Sequence, residues 1–395
     1  TASGSISDNG DVVVNGTATL DAGSTNNIVL GDSVTKITKF GSVKVTALSA
    51  SISEDDDMDV ELTVGSLANL TSETGSVVLS GTVSDALSSL VVGTQGSITQ
   101  DDSLIVGGQV LLDVSGGTFI TLEDENDFQG AVSIDASGTN SGNVSIKDLN
   151  GLELAAVDVV SNLVIQTGGD LSQTSDSVIS VTGTSTLDIT EGENSKLLLD
   201  GTNNDFAGSL TIIATDSGST VKLVDQNDLF IGSIDAGDTI DLTSTAGAID
   251  DASDDAVSDF SAGGLISLST LSNIGGSAST QTTDATGGLE IASDSKLKAT
   301  ANGAVVLNTL GPLELNDLTA TGQSITINAG GAISDGNGDL VNVLSDALVI
   351  TGDQEVIGIE TTVTTLDLST AATSIIESDG LSLTDSELSG QFDLT

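Results

Sequence analysis

Val144-Ser-Ile146, Leu152-Glu-Leu154 and Leu163-Val-Ile165, followed by Leu171, are the pieces whose spacing decides the fold. Each piece sets two aliphatic side chains one residue apart, and successive starts lie 8, 11 and 8 residues apart. A period of two inside a piece is the signature of a strand, because alternate side chains face one side. The spacing returns at Val221/Leu223, Leu229/Ile231, Ile240/Leu242 and Ile249, with steps of 8, 11 and 9. It returns again at Val305/Leu307, Leu313/Leu315, Ile325/Ile327 and Ile333, with steps of 8, 12 and 8. Two strands and two turns make one coil of about 19–20 residues, a period at which repeat architectures occur. Stacked in register, such coils bury their inward pairs in a continuous column that no single coil could form alone. The expected fold is all-β, a parallel β-solenoid.

The stretch from Gly96 to Leu171 holds most of the phrases that recur. Asn126-Asp127-Phe128 with Gly130 returns 78 residues later as Asn204-Asp205-Phe206 with Gly208. Residues 1–95 use the same vocabulary in looser spacing, 96–249 form the regular modules, 250–287 are irregular, acidic and rich in Ser, Thr and Gly, and 288–395 resume the pattern. The whole is expected to be one continuous solenoid of about 20 coils, a rod on the order of 95 Å at roughly 4.8 Å per coil. Asn-Gly pairs such as 150–151 and 302–303, and Asp-Gly pairs such as 335–336, also fit hairpins, so an antiparallel sheet is the competing fold.

Composition narrows the function. The chain carries 58 acidic residues against eight Lys, for a net charge of −50, with no Cys and no His. It contains no Arg, Trp or Tyr either. Such a charge repels nucleic acid and anionic membranes, and no run of about 18 apolar residues is present to span a bilayer. Without His there is no imidazole for acid–base work or metal binding. The usual anchors of a binding interface, Trp, Tyr and Arg, are absent too. No enzyme is expected.

Gly-Ser-Ile-Thr-Gln at 96–100, Asn-Asp-Phe-Gln-Gly-Ala-Val-Ser-Ile at 126–134, Asn-Asp-Phe-Ala-Gly-Ser-Leu-Thr-Ile at 204–212 and Gly-Gly-Asp-Leu-Ser-Gln at 168–173 resemble the large bacterial exoproteins of the filamentous-haemagglutinin type. That resemblance implies a right-handed β-helix, secreted and displayed at the cell surface as a fibre or adhesin. The expected role is therefore an extracellular stalk, fibre or matrix filament. An adhesin segment that binds a receptor or glycan is the alternative, and a β-helix polysaccharide-active enzyme a remote one. Neither terminus reads as a cap, so the expected partners are neighbouring segments of a longer chain or further copies stacked end to end.

Calcium is the expected cofactor. Asp335, Asn337, Asp339 and Asp346 occupy positions 1, 3, 5 and 12 of a loop, the spacing at which short oxygen side chains converge on a hard cation. Leu340 stands where such loops carry glycine, and Asp346 where they carry Glu. Asp250, Asp251, Asp254 and Asp255 are the second choice. The Asn-Asp-Phe phrases read as structural, Asn capping turns and Phe filling coil corners.

Overall fold

The computed structural model describes residues 2–31, 37–114, 116, 118–190, 192–253, 257–276, 288–378 and 380–395. These residues form an all-β parallel solenoid of about 17 turns, without helix; hence no helix is long and apolar enough to cross a membrane. The described strands pair in parallel, which rules out hairpins at the Asn-Gly and Asp-Gly turns. The chain divides into two compact units, Thr1–Gly192 and Glu193–Thr395.

In the first unit one inward ladder runs Met58, Val77, Ile98, Ile120, Val144 and Leu163. A second runs Leu70, Val92, Leu112, Ile134, Val157 and Ile179. All twelve side chains are buried. In the second unit Val221, Ile240, Ile266, Leu297 and Leu315 stack in the same way. Each such side chain contributes roughly 1.5–3 kcal/mol by leaving water, and β-branched residues suit the position because their χ1 is already restricted.

The coil length is less uniform than the spacing predicts. Val144 pairs with Leu163, 19 residues on, but Ile120 pairs with Val144, 24 on, and Ile266 with Leu297, 31 on. Two devices absorb the variation. Bulges slip the register, as between Leu154 and Val157 or between Leu315 and Asp317. Turns also lengthen, as from Ile333 to Val343. The inward ladders survive both because only the alternation within each strand must be kept. Register also sets surface charge: Lys44 lies opposite Glu61, Lys296 opposite Glu314 and Lys298 opposite Asp317, each forming an ion pair. These pairs are exposed and contribute about 0–1 kcal/mol each.

Candidate functional site

The polar groups with the most defined surroundings sit at the coil corners, where a strand ends and the chain turns. Asp148, Asp225 and Glu54 point inward there and are fully buried. Each accepts the backbone N–H of a phenylalanine in the preceding coil: Phe128 to Asp148 Oδ2 at 2.8 Å, Phe206 to Asp225 Oδ2 at 2.7 Å, Phe40 to Glu54 Oε2 at 2.9 Å. The second oxygen of each aspartate takes the N–H two residues on, from Asn150 at 2.9 Å and from Asn227 at 2.7 Å. One carboxylate thus ties two coils and shapes its own turn.

Burial pushes the carboxyls of Asp148 and Asp225 up to about 6, against the pull of those N–H bonds. Glu54 rises to about 7, first through burial and then through the charges of Asp56, Asp59 and Asp55, while the Phe40 N–H opposes the shift.

The Asn-Asp-Phe phrases act as the structural reading expects. Asn126 and Asn204 are fully buried. Asn126 donates to the carbonyls of Leu122, Asp124 and Lys147 and accepts from the Leu104 N–H at 2.8 Å. Phe128 and Phe206 fill the corners beside them. Sequence reasoning missed the corner acids, though a signal was present. A polar residue stands four before the next inward aliphatic in Asp148/Leu152, Thr167/Leu171, Asp225/Leu229 and Thr270/Ile274. Where the corner residue is Thr or Ser, its hydroxyl donates to a turn carbonyl instead, as from Thr167 to Gly169 at 2.7 Å and from Ser244 to Asn227 at 2.5 Å. The stacked turns are tight: a Cβ on Gly247 would lie 2.1 Å from the Asn227 carbonyl carbon, so only glycine fits there.

The loop expected to take calcium is arranged around an amide. Asp335 Oδ1 accepts from the Asn337 and Gly338 N–H groups at 2.8 and 3.1 Å and from Asn342 Nδ2 at 3.0 Å. Asn342, buried, also donates to Asn337 Oδ1 at 3.0 Å and to the Leu315 carbonyl at 2.7 Å. Partial burial works to raise the Asp335 carboxyl, but these hydrogen bonds outweigh it and hold the group below its ordinary value. Asp339 is exposed, and so is Asp346, on the strand Val343–Thr351. The acid coupled to this loop is Glu360, in the next coil. Burial and then the charges of Asp335 and Asp339 push its carboxyl up, and its N–H reaches Asn342 Oδ1 at 2.8 Å.

Among the described residues, one group of three acids brings carboxylate oxygens within 4.8 Å of one another: Asp251, Asp259 and Glu290. Asp251 belongs to the second-choice set. Asp250 instead accepts from the Gly276 N–H at 3.0 Å, and Asp254 and Asp255 lie outside the described residues. Asp259 and Glu290 are 2% exposed, and the Glu290 N–H donates to Asp259 Oδ2 at 2.8 Å. Burial, with the charges of Asp251 and Glu290 close by, holds the Asp259 carboxyl well above its ordinary value. From Glu290 a polar ladder climbs through three coils, to Asn308 at 2.7 Å, on to Asn328 at 2.6 Å and to Thr351 at 2.7 Å. Glu290 escapes a reading by sequence spacing because 31 residues separate it from Asp259.

Comparison with known proteins returns a repeat family. No curated protein and no solved structure matches the chain. Residues 1–43, 67–135 and 141–213, together just under half of the chain, match a family model described as repeats of unknown function (DUF5649). Those matches and the stacked coils agree on a repetitive protein, and the coils build it as a parallel β-solenoid.

Proposed function

We propose that this chain is a structural, non-enzymatic solenoid segment that serves as a stalk, fibre or matrix filament outside a bacterial cell. The observation that carries the reading is the in-register aliphatic ladder repeated within each unit, as in Met58, Val77, Ile98, Ile120, Val144 and Leu163. Repetition of one packing unit suits a protein whose product is extent. The extracellular placement leans on the exoprotein-like phrases at 96–100, 126–134, 168–173 and 204–212. Association with neighbouring segments or further copies, end to end, belongs to the same reading. Electron microscopy of the native material, with an antibody against this chain, should label filaments at the cell surface. Label confined to the cytoplasm would overturn the proposal.

Recognition is the second reading. It is favoured by a surface hollow of about 480 Å³ on the second unit, whose lining includes Lys298, Asn316, Asp317, Asn337, Leu340 and Leu344. A saturable glycan or receptor interaction abolished by Leu344→Lys would favour this reading over a pure spacer.

Calcium enters the proposal through charge density. Fifty-eight acidic side chains face eight lysines, and like charges about 5 Å apart in water repel by roughly 0.8 kcal/mol per pair. Cations bound by the folded state raise its stability by mass action. Melting in millimolar calcium is expected several degrees above melting in sodium at matched ionic strength. Identical melts in calcium and in chelator would leave the acids to solvent and to their hydrogen bonds.

A further inference from the structure

The corner clasp of Asp148 and Phe128 in the first unit has a copy, Asp225 and Phe206, in the second. Both carboxyls are fully buried, and each spans two coils through a preceding phenylalanine amide. Their charged surroundings are mostly acidic. Asp148 faces Asp127 of the preceding coil, while Lys147, its neighbour on the strand, alternates to the other side. Asp225 faces Asp205 of the preceding coil and Asp228 of its own turn, while Lys222 is drawn to Asp200 at 3.5 Å. The next coil presents only neutral hydroxyls at the same register, Thr167 over Asp148 and Ser244 over Asp225.

We propose that the two clasps form a proton-linked device, one in each unit, which locks adjacent coils more firmly in mildly acidic surroundings than at neutral pH. The sign follows from linkage. The folded carboxyls titrate at about 6, against an ordinary value of 3.8. Between those values the folded state keeps a proton that the unfolded chain has given up, so stability falls as pH rises through the window and levels off above it. A difference of about two units corresponds to roughly a hundredfold change in the unfolding constant per clasp.

The test exploits the fold's own substitution. Thr167 occupies in the next coil the register position of Asp148, so Asp148→Thr and Asp225→Thr place a non-titrating side chain at a corner that accepts it. Urea unfolding of the full chain is measured from pH 4 to 7.5. The unfolding constant should rise over that range by about a hundredfold less for each single variant than for the unsubstituted chain, and the double variant should lose both contributions. A double variant with undiminished pH dependence would overturn the proposal. Should the variants fail to fold, hydrogen exchange of the unsubstituted chain decides. Once intrinsic base catalysis is removed, amides at 126–150 and 204–227 should open more readily as pH rises from 4 to 7. Unchanged opening of both segments over that range would also sink it.

Discussion

Ile240→Asp is expected to unfold the second unit around the substitution. Ile240 is fully buried, with Val221 on one side of the ladder and Ile266 on the other. Losing the aliphatic side chain removes roughly 1.5–3 kcal/mol of burial. Placing an unpaired carboxylate between two aliphatic neighbours adds several kcal/mol of desolvation. Together these approach the whole stability of an ordinary domain, about 5–15 kcal/mol. Since each coil leans mainly on its neighbours, damage should spread outward from the site. Hydrogen exchange should show lost protection first in the strands Thr220–Asp225 and Leu265–Thr270. An unchanged melting temperature, within about 2 °C, would mean that the side chain reaches solvent and that the ladder is misassigned.

Phe206→Ala should be nearly as damaging. Phe206 is fully buried at a corner, and large-to-small substitution of a buried phenylalanine costs about 3–5 kcal/mol through lost transfer energy and the cavity left behind. Its backbone N–H still reaches Asp225 in the variant, so the loss isolates the ring from the clasp. The urea midpoint should fall accordingly, with little change in slope. Phe119→Ala is the control, because that ring is 41% exposed and should shift the midpoint by well under half as much. Equal effects at the two positions would remove the corner-filling role from Phe206.

Most of the fold is legible in Val144-Ser-Ile146 and its echoes, since a period of two inside each piece and a period near 20 between pieces leave few alternatives. The lengths of individual coils are not, because bulges at Ala155–Ala156 and at Asn316 change the count without disturbing the alternation. The loop at Asp335 shows a different limit. Spacing of oxygen side chains cannot reveal that Asn342 turns inward to fill the space between Asp335 and Asn337. Nor can it place Glu360 beside them, since that residue arrives from the next coil. The corner acids were hidden for another reason. In a chain this acidic, one more Asp before a turn looks like solvated surface until burial singles it out.

Parallel register has a consequence for how such a chain can change its length. Val144 stacks on Ile120 and beneath Leu163, and Asp148 on Asn126 and beneath Thr167. Excising residues 144–162 would therefore bring Leu163 onto Ile120 and Thr167 onto Asn126, aliphatic on aliphatic and polar corner on polar corner. Insertion of a duplicated stretch would do the same in reverse. Recombination between similar stretches would then lengthen or shorten the gene product by whole coils with most core contacts kept in kind, whereas a cut of one residue inside a strand would turn its aliphatic side chains out to water.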